Sequence, residues 1–143
     1  MRPSATASPT ARATATADPR VAAVDAAVRR YVQALADAMR TGSPDELGGL
    51  SVPGSQAQGN AGVAAHVAHD TGKCFVVTTL TINPMSIDMA GSSAALATVT
   101  YTLTGYDASY PSLQQLSSAR MVHAQKQLEL ALMDGRWLVS NVQ

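Results

Sequence analysis

The closing stretch LELALMDGRWLVSNVQ, residues 128–143, decides the fold class of this chain. Before the turn, leucines recur at every second position, which is the pattern of a strand with one buried face. Asp134 and Gly135 form a dipeptide that is typical of tight hairpins. Trp137, the single tryptophan, is expected to be buried against the first helix. Its expected neighbours there are Val28, Tyr31 and Leu35. The stretch therefore predicts two antiparallel strands that close the chain.

The period of two extends upstream through much of the second half of the chain. CFVVTTLTI (residues 74–82) and MSIDMA (residues 85–90) are expected strands, and a long strand is expected over residues 120–132. A loop is expected over residues 105–118. The clearest strand has threonines on its outer face, which we interpret as an exposed surface or a surface for a partner. Its inward residues are Ala95, Ala97, Val99, Tyr101 and Leu103.

The first part of the domain has the period of a helix. Asp18 and Pro19 favour a helix start, because aspartate is a good N-cap and proline suits the first helical position. Apolar residues then recur three or four positions apart as far as Met39. The pattern predicts one amphipathic helix of about 21 residues.

Two shorter helices are expected after it. SPDEL (residues 43–47) is typical of a capping box, with Ser43 as N-cap. Residues 51–60 are expected to form a loop, and residues 61–70 a third helix. The order of elements predicts an α+β fold, in which a long N-terminal helix and two short helices pack on a curved antiparallel sheet of four to five strands.

The composition limits the classes of function. The chain has 143 residues, 46% hydrophobic and 14% charged, which suits one domain. Ten basic residues balance ten acidic ones, whereas a nucleic-acid-binding domain needs a basic excess, so no nucleic-acid partner is expected. No apolar run approaches the roughly 20 residues of a membrane span. Cys74 is the only cysteine, so the chain forms no internal disulfide.

The first eighteen residues differ from the rest, because they consist mainly of alanine, threonine, serine and proline. Such a segment cannot offset its ordering entropy, so we expect a disordered tether over residues 1–18 and a folded domain over residues 19–143. Tethers of this composition typically separate a membrane anchor from an extracytoplasmic domain. No apolar signal-peptide region follows Met1. Either an anchor or signal peptide was removed upstream, or Met1 is the native start of a cytoplasmic protein.

The order of elements and the Asp134–Val139 hairpin resemble the NTF2-like (cystatin-like α+β) superfamily. The resemblance implies a cone, in which the sheet wraps the helices. With its tether, the domain resembles envelope lipoproteins and Mce-associated proteins of high-G+C Gram-positive bacteria, and conjugation-scaffold domains. That resemblance implies a non-catalytic binding or assembly domain in the cell envelope. Its partner would be an envelope protein or a second copy bound through the sheet face, and its membrane contact only an anchor upstream of Met1.

The superfamily also includes ketosteroid-isomerase-like and SnoaL-like enzymes, so an enzyme or binder of a small apolar ligand is the alternative. An isomerase-like site needs a carboxylate base and an oxyanion donor in the cone. Tyr31, on the inner face of the first helix, is the candidate donor, although it equally suits a core tyrosine with a satisfied hydroxyl. The strands supply no inward acid, because Asp88 alternates outward. No cofactor is expected.

The candidate ligand-binding residues are Tyr31, Tyr101, Lys126 and Asn141. Lys126 is informative because its position in the strand pattern points an ammonium into the cone, where an unpaired charge is costly. Three outcomes would relieve that cost. A β-bulge near residues 125–127 would rotate it outward, its head would reach the mouth of the cone, or it would serve a ligand.

A metal site is a weaker interpretation. His66 and His69 are three residues apart on a predicted helix, and Cys74 follows shortly after. Structural zinc sites use four ligands at tighter spacings, while helix capping and burial account for these residues equally well. No metal is therefore expected.

Overall fold

The computed structural model describes residues 18–41 and 43–143, except for the side chains of residues 61, 62 and 64–69. The expected tether lies outside the described residues, apart from Asp18. No helix in the described part is long and apolar enough to cross a membrane.

Helix α1 spans Pro19–Thr41, as the periodicity predicted. Asp18 caps it, because its Oδ1 accepts a hydrogen bond from the Arg20 backbone N–H at 2.9 Å. One face of the helix is buried, and the opposite face carries exposed ion pairs such as Arg29–Asp25. The buried residues of α1 are Val24, Ala27, Val28, Tyr31, Val32, Ala34, Ala36 and Ala38.

Helix α2 spans Asp45–Gly49, so it begins later than a cap at Ser43 would place it. Pro44 occupies the N-cap position, and it has no side-chain group to cap with. The Ser43 hydroxyl still accepts a hydrogen bond from the Asp45 N–H, at 3.3 Å. The expected capping box is therefore wrong in its register, although the helix exists.

Helix α3 spans Gln56–Thr71, so the loop expected over residues 51–60 is wrong in its second half. The helix begins earlier because Ser55, next to Gly54, caps it. The Ser55 hydroxyl accepts a hydrogen bond from the Gln58 N–H at 3.3 Å, and the Gln58 side chain accepts one from the Gly54 N–H at 2.8 Å. This reciprocal arrangement resembles a capping box and starts the helix at residue 56.

Five strands form one antiparallel sheet, which confirms the predicted fold class. They are β1 (Lys73–Ile82), β2 (Ser86–Met89), β3 (Ala94–Ser109), β4 (Arg120–Met133) and β5 (Arg136–Val142). The order is β1-β3-β4-β5, and β2 pairs with β3 on the edge that β1 also uses. Consequently β3 is the central strand. No named strand pairs with the outer edge of β5, which instead forms a short parallel bridge between Ser51 and Val139.

Strand β3 is longer than the sequence predicted. The expected loop over residues 105–118 is wrong in its first five residues, because Lys73–Val77 of β1 pair with Gly105–Ser109 of β3. Pairing with β1 thus extends β3 beyond Gly105 and Asp107, residue types that favour loops. This extension brings Asp107 into the sheet.

Two bulges interrupt the ladders and favour curvature. Thr78 is an extra residue in β1, and Ser140 is an extra residue in β5. In each case the hydroxyl donates to a carbonyl of the neighbouring strand: Thr78 to Thr104 at 3.1 Å, and Ser140 to Glu129 at 3.0 Å. Bulges bend the strand that carries them, so these positions help to wrap the sheet around α1.

The core lies between α1 and the concave face of the sheet. The inward residues of β3 are buried as predicted, and its outward threonines are half-exposed. The closing hairpin is also confirmed, since Asp134 and Gly135 have φ of 53° and 77°. Besides α1, the buried cluster includes Leu47, Ala57, Ala95, Ala97, Val99, Tyr101, Leu103, Leu128, Leu130, Trp137 and Val139.

Trp137 is buried, with 9% of its surface exposed, and it lies beside Ala23 and Ala27 in the first half of α1. We expect Trp137→Ala to lower the free energy of unfolding by about 3–5 kcal/mol, because it empties a large core volume. Urea denaturation measures the change. Met133→Ala, at a position that is 39% exposed, is the control and should cost less than about 1 kcal/mol. A Trp137→Ala variant as stable as the wild type would contradict the placement.

Candidate functional site

A cavity of about 500 Å³ lies between the second half of α1 and the concave face of the sheet. This volume is within the range of small-molecule sites. Its walls come from α1, β1, β3 and β4, and most of the side chains are apolar. The lining residues are Leu35, Met39, Phe75, Tyr101, Leu103, Asp107, Arg120, Val122, Ala124 and Lys126.

The cavity exists because small residues face α1 at this end of the sheet. Along β4, Leu128 and Leu130 fill the space under the helix and are almost fully buried. Further along the same face, Val122 and Ala124 have shorter side chains and leave space below Leu35. The same face of the sheet therefore forms a packed core at one end and a cavity at the other.

An ion pair forms part of the cavity wall where the surroundings become exposed. Arg120 donates to both carboxylate oxygens of Asp107, at 2.9 and 3.2 Å. Its guanidinium also lies over the Phe75 ring, 4.7 Å from the centroid, as in a cation–π contact. The hydrogen bond from Arg120 is the main cause that holds the pKa of Asp107 below its usual value. Asp107 is therefore ionised near neutral pH, and it is a weak base.

Gly105 makes room for the Phe75 ring. A Cβ at this position would lie 2.6 Å from the ring, and it would also clash with the Val76 carbonyl oxygen of the paired strand. Glycine in a strand interior often marks such a close approach. Gly105 thus allows the aromatic ring to lie against the sheet beneath Arg120.

Lys126 lines the cavity and is half-buried. The bulge considered near residues 125–127 is wrong, because the β3–β4 ladder is continuous through the Val99–Lys126 pair. Strict alternation therefore keeps Lys126 on the concave side. Within the described part of the chain, its ammonium has neither an ion-pair nor a hydrogen-bond partner.

The two buried tyrosines occupy different places. Tyr101 lines the cavity, and burial raises its pKa, so its hydroxyl is protonated near neutral pH. Tyr31 is in the core and is not a lining residue. Burial raises the pKa of Tyr31, against the lowering effect of a hydrogen bond with Ser51. The structure therefore brings Tyr101 and Lys126 to one cavity and leaves Tyr31 outside it.

Asn141 also lies away from the cavity. Its Nδ2 donates to the exposed Glu129 carboxylate at 3.2 Å, and its Oδ1 is buried with no hydrogen-bond partner in the described part of the protein. The side chains of His66 and His69 lie outside the described residues. Cys74 is buried, and burial raises the pKa of its thiol. Among the side chains that are described, no three potential ligands gather as a metal site would require.

Phe75, Asp107 and Arg120 line the cavity, although they were not predicted as site residues from the sequence. The relevant pattern was present, because Leu103, Gly105 and Asp107 continue the inward alternation of β3. Because a loop was predicted to begin at residue 105, the continuation of β3 to Ser109 was not expected. The expectation that the strands supply no inward acid is therefore wrong, because Asp107 lines the cavity. Its carboxylate is paired with Arg120.

No protein-family model and no curated protein matches the sequence. Solved structures do match it. The intermembrane space region of the chloroplast protein ARC6 is 13% identical, with a TM-score of 0.61 over 88% of this chain and 95% of that chain. A ketosteroid isomerase-like protein from Erwinia carotovora atroseptica is 11% identical, with a TM-score of 0.56 over 85% and 91%. A domain with a cystatin-like fold from Nostoc punctiforme is 13% identical, with a TM-score of 0.53 over 82% and 74%.

At these identities the comparisons show the fold alone. The fold is NTF2-like, which agrees with the α+β cone described above. The matching structures include an isomerase-like protein and a region of a chloroplast protein, so similarity of fold does not define a function.

We expect Gly105→Ala to lower the free energy of unfolding by about 1–3 kcal/mol, because the new methyl group meets backbone and ring atoms that must shift. Thermal or urea denaturation measures the effect. Gly59→Ala in helix α3 is the matched control, because a Cβ there meets nothing within 4 Å, and it should be neutral or stabilising. Equal stabilities of the Gly105→Ala variant and the wild type would refute the close packing of Phe75.

Proposed function

We propose that this protein is a non-catalytic binding domain that holds a small, mainly apolar molecule in the cavity beneath α1. The observation that carries the proposal is the open cavity, whose mainly apolar wall also contains Tyr101 and Lys126. The Lys126 ammonium has no ion-pair or hydrogen-bond partner among the described residues. Mainly apolar walls with a few placed polar groups are the usual features of a ligand site.

The charge arrangement favours binding over isomerase-like catalysis. Proton abstraction needs a carboxylate that is free to act as a base. Asp107 is the carboxylate that lines the cavity, and Arg120 engages both of its oxygens. The enzyme alternative rests on Tyr101 and Asp107 lining one cavity, and it requires Asp107 to leave Arg120 first. Binding needs no such rearrangement.

We also propose that the domain works outside the cytoplasm, in the cell envelope, at the end of a flexible tether. Support comes from the serine, threonine, proline and alanine content of residues 2–17. The convex sheet face, with half-exposed threonines on β3, is the proposed surface for an envelope protein or a second copy. A cytoplasmic location is the alternative.

The binding proposal is tested with Nile red, a neutral apolar dye whose fluorescence rises in apolar surroundings. We expect the wild type to bind the dye and Ala124→Trp to abolish binding, because the indole fills the cavity. Gln125→Trp is the matched control, since it adds the same group to the exposed face of the same strand. Melting curves verify that both variants are folded. A wild type that does not bind, or an Ala124→Trp variant that binds equally well, would count against the cavity.

The location is tested by fractionating cells of the source organism. An antibody against the domain should detect it in the envelope fraction. Protease added to spheroplasts should degrade it while a cytoplasmic marker survives. Recovery of the intact domain together with that marker would favour the cytoplasmic alternative.

A further inference from the structure

The cavity is elongated along β4. Its lining positions on this strand are alternate residues from Arg120 to Lys126. At a rise of about 3.3 Å per residue, these positions span roughly 20 Å. Leu35, Met39 and Val122 contribute apolar walls along this span. The shape therefore suits an extended chain better than a compact ring system.

The cavity carries a neutral ion pair at its Arg120 end and, within the described part of the chain, an unpaired positive charge at its Lys126 end. At one end, Arg120 and Asp107 neutralise each other, and each side chain is about half exposed. At the other end, Lys126 has no carboxylate partner among the residues that the structure describes. The next inward residue of β4, Leu128, is 1% exposed and belongs to the core. The uncompensated positive charge thus lies at the end of the cavity that adjoins the packed core. We call this the inner end.

Tyr101 supplies a second donor near Lys126. Tyr101 pairs with Ala124 across the β3–β4 ladder, and Val99 pairs with Lys126, so Tyr101 and Lys126 are diagonal neighbours on the concave face. Diagonal neighbours lie about 7–8 Å apart, close enough for long side chains to approach one group. The Tyr101 hydroxyl has no hydrogen-bond partner in the described ranges 18–41 and 43–143. Adjacent strands therefore place a lysine and a tyrosine on neighbouring positions of the concave face at this end of the cavity.

We propose that the ligand is an elongated amphipathic molecule with one anionic group, of the long-chain carboxylate class. Its carboxylate meets Lys126 and Tyr101 at the inner end, and its chain lies along β4 beneath Leu35 and Met39 towards Arg120. This assignment rests on the proposed function of the cavity. A cationic head is repelled at Lys126, and a neutral chain leaves the ammonium without a partner.

The test compares dodecanoate with dodecyltrimethylammonium, which have similar chains and opposite charges, by calorimetry below their micelle concentrations. We expect the wild type to prefer dodecanoate by at least about tenfold. Lys126→Met should weaken dodecanoate binding about tenfold to a hundredfold, because it removes a charge-assisted hydrogen bond. The same variant should retain its affinity for neutral Nile red within about twofold. Lys126→Glu should reverse the preference.

Arg29→Met is the control for a change of charge alone, because Arg29 lies on the exposed face of α1 and does not line the cavity. It should leave both affinities unchanged. Tyr101→Phe should weaken dodecanoate binding and leave Nile red binding intact, and it serves as the second variant if neither Lys126 variant folds. The wild-type comparison itself needs no variant.

The failures are distinguishable. Equal affinities for the two chains, with Nile red still bound in the cavity, would overturn the carboxylate assignment and leave the proposed function standing. If the folded wild type binds none of the three probes, the proposed function fails and the assignment fails with it. Dodecanoate binding that Ala124→Trp does not reduce would also overturn the assignment, because the ligand would then lie elsewhere.

Discussion

The packing of α1 across the concave face of the sheet is the contact on which the rest of this structure depends. Near its start, the helix contributes Val24 and Val28 to a core that includes Ala95 and Ala97 of β3, and all four side chains are almost fully buried. Near its end, the same helix lies above short residues such as Ala124, and the cavity remains. One helix and one sheet face therefore provide both the stability of the domain and its candidate site.

Sheet curvature makes that packing possible. Thr78 and Ser140 add one residue each to β1 and β5, and their hydroxyls bond to carbonyls of the neighbouring strands. Ser51 and its neighbours add hydrogen bonds to the outer edge of β5 through Val139. Bends in the outer strands, with β3 and β4 in regular register, give a trough that a single helix can cover.

Much of this architecture was predictable from the sequence, because strong periodicity reports which face is buried. Helix α1, the alternation of β3 and the Asp134–Gly135 hairpin follow directly from local patterns. The start of α3 was misjudged because Gly54 and Pro53 suggested a loop, whereas the Ser55 cap decided the element.

The site was less predictable, because its residues meet through pairing between distant segments. Asp107 belongs to the sheet only because β1 pairs with the end of β3. Arg120 and Phe75 then meet it from two other strands, at distances that no local pattern encodes. Lys126 is the exception: its place in the alternation of β4 put it on the concave face, and the unbroken ladder keeps it there. The bulges lie at Thr78 and Ser140 instead, and no local sequence pattern predicted them there.

The central claim is that the space beneath α1 is an open, mainly apolar cavity and not a collapsed core. A crystal structure of the ligand-free protein under xenon pressure tests it most directly, because xenon occupies apolar cavities without needing a specific ligand. The account predicts a xenon atom between Leu35, Met39 and Ala124. A structure in which the Leu35 and Met39 side chains close onto β4, with no xenon between them, would contradict it.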